Sequence, residues 1–123
     1  MITATVHLSL SCRKSVTDMP ARISNAEFDS EVLASELPVL ADFYSDSCIP
    51  CKRMSPILSQ LEVEYADKIK IVKINTNFEK ELVAKYDILA APTLILFNKG
   101  EEVSRIRGAA KKDEIITLIK EQI

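Results

Sequence analysis

The run Val39-Leu40-Ala41-Asp42-Phe43-Tyr44 constrains the fold more than any other part of the sequence. It is almost wholly apolar and too short for a helix, the pattern of a strand buried on both faces of a sheet. Such a strand needs a packed layer above and below it. Just beyond it, Met54, Ile57, Leu58, Leu61 and Tyr65 recur at helical spacing, so a helix from Cys51 to about Ala66 supplies one layer. Pro56 lies inside that helix and is expected to kink it.

The rest of the chain repeats this alternation. Ala21 to Ile23 reads as a short strand, and Ser24 with Glu27 makes a capping box for a helix that buries Phe28, Val32 and Leu33 and ends before Pro38. Ile69 to Ile74 is a second central strand; Phe78, Leu82, Val83 and Tyr86 mark the shorter helix after it. Thr93 to Phe97 is a third strand, turned at Asn98-Lys99-Gly100 to return as Glu101 to Ile106, the one hairpin. Gly108 breaks that strand, and Ile115, Ile116, Leu118 and Ile119 give a closing helix one apolar face. Strands alternating with helices place the chain in the α/β class. With 123 residues, 47% hydrophobic and 28% charged, it holds the core of one compact domain.

Residues 1–18 read as an extension to a domain at 19–123, with Met19 an alternative start. Ile2, Ala4, Val6, Leu8 and Leu10 alternate with polar residues, the period of a half-buried strand that could add an edge. A secretory signal is disfavoured because the basic pair Arg13 and Lys14 follows the apolar run. A lipoprotein-type site at Leu10-Ser11-Cys12 and an organelle transit peptide are disfavoured for want of basic residues and apolar length.

A net charge of −2 gives no basic face for nucleic acid or an anionic membrane. No apolar stretch approaches the roughly 20 residues of a spanning helix. Three cysteines are too few for a disulfide scaffold, so a reducing, cytoplasmic setting is expected.

Chemistry concentrates at Cys48-Ile49-Pro50-Cys51. Two thiols at this spacing can close and open a disulfide with little backbone movement. Cys48, at the start of the helix, has its thiolate favoured by unpaired N–H groups and the helix dipole, and is the expected nucleophile. Cys51, a turn further in, is the expected resolving thiol. Pro50 suits a first helical turn, where its missing N–H has no partner, and it stiffens the loop. The competing reading, half a zinc site, lacks ligands, because only Cys12 and His7 remain. Asp42 is an acid within a buried strand, costly unless paired, with a pKa expected to rise. Lys73, central in the neighbouring strand, is its expected partner, and the two could relay the proton Cys51 exchanges. The alternative is that Asp42 sits on a solvated strand face.

Asp42-Phe43, Cys48-Ile49-Pro50-Cys51-Lys52, Pro56, Ala91-Pro92-Thr93, Phe97-Asn98-Lys99-Gly100-Glu101 and Gly108 follow one another in an order that resembles the thioredoxin family, from about Ile23 to the C-terminus. The resemblance implies a thioredoxin fold: a central mixed sheet of four to five strands with helices on both faces. It implies reduction of disulfide-containing proteins, a separate thioredoxin reductase or equivalent donor, and a buried acid and lysine matching Asp42 and Lys73. It further implies a cis Pro92 facing the dithiol, and with it a substrate groove shaped by Ala91, Pro92 and Gly108 beside Ser47, Ile49 and Pro50. A monomer with no metal, and no cofactor beyond the Cys48–Cys51 pair, is expected.

Three departures stand out. Family members usually carry Trp where Ser47 and Tyr44 stand, and Gly where Ile49 stands, and this chain has no Trp. Ser47 could hydrogen-bond the Cys48 thiolate or face solvent. Ile49 stiffens the loop and adds an apolar contact. Three functions follow: a general protein disulfide reductase, a dedicated electron donor to one enzyme, and a binding module that retains its thiols without turnover.

Overall fold

The computed structural model describes residues 21–123. The edge strand, start site and targeting segments considered for residues 1–18, together with Cys12 and His7, lie outside the described residues.

The elements, in chain order, are β1 (Ala21–Arg22), α1 (Asn25–Phe28, continued by a π-helical turn over Asp29–Leu33), β2 (Val39–Tyr44), α2 (Ile49–Glu64), β3 (Lys70–Asn75), α3 (Lys80–Lys85), β4 (Thr93–Asn98), β5 (Glu101–Arg107) and α4 (Lys112–Lys120). They form one five-stranded sheet of order β1-β3-β2-β4-β5. β1, β3 and β2 run parallel, β4 runs antiparallel to β2, and β5 runs antiparallel to β4. β2 lies at the centre with all six residues buried.

Because side chains alternate along each strand, the sheet has two packed faces. Val39, Ala41, Phe43, Val72, Ile74, Ile95 and Phe97 meet Phe28 and Val32 of α1 and Leu82 of α3. Leu40, Ile71, Leu94 and Leu96 meet Met54, Leu58 and Leu61 of α2 and Ile115 and Ile119 of α4. Helices therefore cover both faces, as the resemblance implies.

Local signals explain most boundaries. Glu27 accepts from the N–H of Ser24 at 2.9 Å and from its hydroxyl at 3.1 Å, fixing the start of α1. The β4–β5 turn carries Lys99 at φ 53° and Gly100 at φ 83°, the paired positive angles of a type I′ hairpin. The apolar spacing misleads at Phe78, which is 72% exposed. It precedes α3 in a turn closed by Asn75, whose carbonyl accepts from Phe78 and Glu79 and whose side chain accepts from the Asn77 N–H. Only Leu82, Val83 and Tyr86 reach the core from this segment. Pro56 is exposed inside α2, which runs unbroken from Ile49 to Glu64.

Candidate functional site: a dithiol above a buried acid

β2 ends at Tyr44, and a turn in which Cys48 N–H donates to the Ser45 carbonyl at 3.3 Å leads straight into α2. Cys48 is the N-cap: its backbone is extended, and its sulfur accepts from the Cys51 N–H at 3.2 Å. The helix therefore starts at Ile49, two residues before the expected Cys51. The cause is that sulfur takes the place an Asp or Ser oxygen holds at other N-caps, leaving Ile49 and Pro50 free to form the first turn. Cys48 and Cys51 are disulfide-bonded with Cα atoms 5.2 Å apart. Cys48 is half-buried, whereas Cys51 is 4% exposed. One sulfur is within reach of a partner and the other is enclosed.

Asp42 shares its sheet face with Leu40, the side covered by α2, and is 1% exposed. A solvated strand face is thereby excluded. Neither carboxylate oxygen has a hydrogen-bond partner among the described residues. Burial pushes its pKa up to about 7, and the charge of Lys73 pulls in the opposite direction. Lys73 is in register with Asp42 on the adjacent strand, but the two form no ion pair at contact distance among the described residues. Its ammonium instead lies 4.6 Å from the Tyr44 ring centroid and donates to Ser55 Oγ at 3.4 Å. Their coupling is one of charge through the sheet, not of a direct bond. Ser55 was not singled out in the sequence, although it falls one helical turn after Cys51 and so shares its face.

The Ala91–Pro92 bond is cis, as the resemblance implies, and Pro92 is buried. Register sets Thr93 opposite Phe43, so Pro92 lies at the end of the sheet where β2 leads into the dithiol. Gly108 N–H donates to the Pro92 carbonyl at 2.8 Å, and Gly108 has φ +93° with open space where a Cβ would stand. Ala91 is half-buried; Ser47, Ile49 and Pro50 are exposed. Ser47 makes no hydrogen bond among the described residues, leaving its side chain to solvent. Among the described residues no group of three His, Cys, Asp or Glu side chains is arranged to hold a metal, and no helix is long and apolar enough to cross a membrane.

The thioredoxin family model matches residues 19–121. The chain belongs to the thioredoxin family. It is 37% identical over 103 residues to a thioredoxin of Pyropia yezoensis, covering 84% of this chain and 96% of the relative. It is 39% identical over 108 residues to thioredoxin C-2 of Corynebacterium nephridii, covering 85% and 100%. A thioredoxin of Synechocystis is 34% identical over 102 residues, covering 83% and 95%. With thioredoxins along almost their whole length as relatives, and a cysteine pair at bonding distance, the chain is a thiol–disulfide oxidoreductase.

Proposed function

We propose that the chain reduces disulfides in other proteins, with Cys48 as nucleophile and Cys51 as resolving thiol. The Cys48 thiolate attacks one sulfur of the substrate disulfide, forming a mixed disulfide and expelling the other substrate sulfur as a thiolate. Cys51 then gives up its proton and attacks Cys48, so the second substrate thiolate leaves and the Cys48–Cys51 bond forms. Two electrons have passed to the substrate, and a separate reductase returns them to the dithiol.

The observation that carries this reading is the asymmetry of the pair. Cys48 caps α2 and accepts an N–H bond on its sulfur, which favours its thiolate, while Cys51 is enclosed and keeps its proton until needed. Asp42, with a pKa of about 7, takes up the proton that Cys51 loses, and Lys73 tunes that affinity by its charge. The backbone beside Pro92, with Gly108 and Ala91 on one side and Ser47, Ile49 and Pro50 on the other, is the groove for an extended substrate segment. The setting is the cytoplasm and the acting unit a monomer.

Dithiothreitol-driven insulin reduction tests the proposal. Cys48→Ser should abolish it, and Cys51→Ser should accumulate mixed disulfides visible on a non-reducing gel. Normal turnover by Cys48→Ser would overturn the assignment. A second reading, a dedicated donor to one enzyme, is favoured by Ile49, 62% exposed beside Cys48, where it offers an apolar contact that only a matching partner would cover. Faster reduction of one partner enzyme than of insulin, lost in Ile49→Gly, separates the two.

A further inference from the structure

A cavity of about 190 Å³ opens beside Cys51, and three of the four charged residues that line it are cationic. Arg22 reaches it from β1, Lys73 from β3 and Lys52 from the first turn of α2; Asp46 is its one acid, already accepting from the Asn75 side chain at 3.2 Å. Arg22 and Lys73 are register partners on adjacent parallel strands, so two cations stand side by side at the cavity, with Asp42 the register partner of Lys73 on its buried side. None of the three cations has a carboxylate within ion-pair distance among the described residues. The partners of Lys73 are a ring face and a hydroxyl, which solvate its charge without neutralising it.

We infer that this cavity is an anion subsite, and that its occupant is an acidic side chain carried by the substrate next to the cysteine that Cys48 attacks. The inference rests on the proposed disulfide reduction and names a chemical preference for it. Position argues for a substrate group over a free anion. Cys51 forms part of the wall, and its Cα lies 5.2 Å from that of Cys48, less than two residues of extended chain at roughly 3.3–3.6 Å each. A peptide held by its sulfur on Cys48 therefore carries a neighbouring side chain over the cavity mouth. Arg22 and Lys52 are exposed and meet the incoming carboxylate, with the half-buried Lys73 beneath. The Arg22 guanidinium can grip both carboxylate oxygens, and the Ser45 and Ser55 hydroxyls, which also line the cavity, can donate to them. One water needs about 10–15 Å³ of such space, so the cavity admits a carboxylate-bearing side chain.

The test compares disulfide peptides with Glu, Gln or Lys adjacent to the attacked cysteine, using the full chain and dithiothreitol. We expect kcat/KM to fall in the order Glu, Gln, Lys, with about tenfold between the ends, and the spread to shrink as salt rises. The combined Arg22→Gln and Lys52→Gln variant should compress the Glu-to-Lys ratio towards one. Inorganic phosphate at constant ionic strength should slow the Glu peptide and spare the Gln peptide. Equal rates for the three peptides overturn the subsite while leaving disulfide reduction standing; failure to reduce any of them overturns both. A ratio unchanged in the double variant overturns the location. Phosphate slowing Glu and Gln peptides alike assigns the cavity to free anions and overturns the substrate reading.

Discussion

The two faces of the sheet are made by the same strands and buried to the same depth, yet they are built to different ends. Towards α1 and α3 the packing is almost wholly apolar, with the buried Thr93 hydroxyl donating to the Ala90 carbonyl, and it ends in an aromatic knot, with Tyr86 5.4 Å from Phe28 and 5.3 Å from Phe97 between ring centroids. Towards α2 and α4 it is as apolar until β2 and β3 reach the dithiol, where Asp42 and Lys73 interrupt it. An unpaired carboxyl under a helix is poor packing, and in the proposed mechanism its pKa of about 7 suits it to accept the proton of the resolving thiol. Both faces hold the molecule together, but among the described residues only the second carries a buried, unpaired acid.

The largest effect should come from the first face. Phe28→Ala removes a buried ring in contact with Tyr86 and Phe97 and should cost about 3–5 kcal/mol in urea unfolding. Insulin reduction per folded molecule should not change. A fall in specific activity would show that the faces are coupled, and would break the contrast.

Asp42→Asn should do the reverse. Folding raises the Asp42 pKa from 3.8 to about 7, so between those values the native state binds more protons than the unfolded chain. Stability must therefore fall as pH rises from about 4 through 7 and level off above, by about 4 kcal/mol for a shift of this size. Asparagine abolishes that slope. At about pH 8 it should stabilise the protein by roughly 2–4 kcal/mol, less than the full amount because its buried amide also lacks partners. Resolution should slow at neutral pH, seen as longer-lived mixed disulfides. A pH-independent stability in the unmodified protein would remove the acid from the argument.

Lys73→Gln is a smaller perturbation with a defined sign. Its charge lowers the Asp42 pKa, so removing it should move the carboxyl titration further upward, followed by carbon NMR. The stability loss should then extend to higher pH. An unmoved titration would mean that Lys73 serves Tyr44 and Ser55 alone.

The strands and helices were legible because continuous apolar runs and period-3.6 patterns mark buried faces, as at Val39–Tyr44 and at Met54, Leu58 and Leu61, whereas the mixed sheet with helices on both faces came from the resemblance. Cys48, Cys51, Pro92 and Gly108 were legible as a constellation of motifs. Less visible was anything decided by contact across strands. Spacing along the chain does not tell that Arg22 would lie beside Lys73, or that Lys73 would turn to Tyr44 and Ser55 and away from a bond to Asp42. Phe78 failed for a related reason: its four-residue spacing to Leu82 mimics a helix face, but the Asn75 turn holds it outside α3.

The smallest predicted effects come from the two glycines, which separate stability from recognition. Gly100 needs its left-handed backbone for the hairpin, and a Cβ there would stand 3.2 Å from the Leu33 carbonyl oxygen. Gly100→Ala should cost about 2 kcal/mol and leave KM alone. Gly108 has a similar backbone, but its missing side chain would project into empty space next to the carbonyl of Pro92 that it binds. Gly108→Ala should thus cost only about 1 kcal/mol from the backbone. Its main consequence should be a higher KM for disulfide peptides at unchanged kcat, the sign of binding weakened equally in ground and transition states. Equal behaviour of the two variants would mean that the substrate does not pass over Gly108, and that the groove lies elsewhere around Pro92.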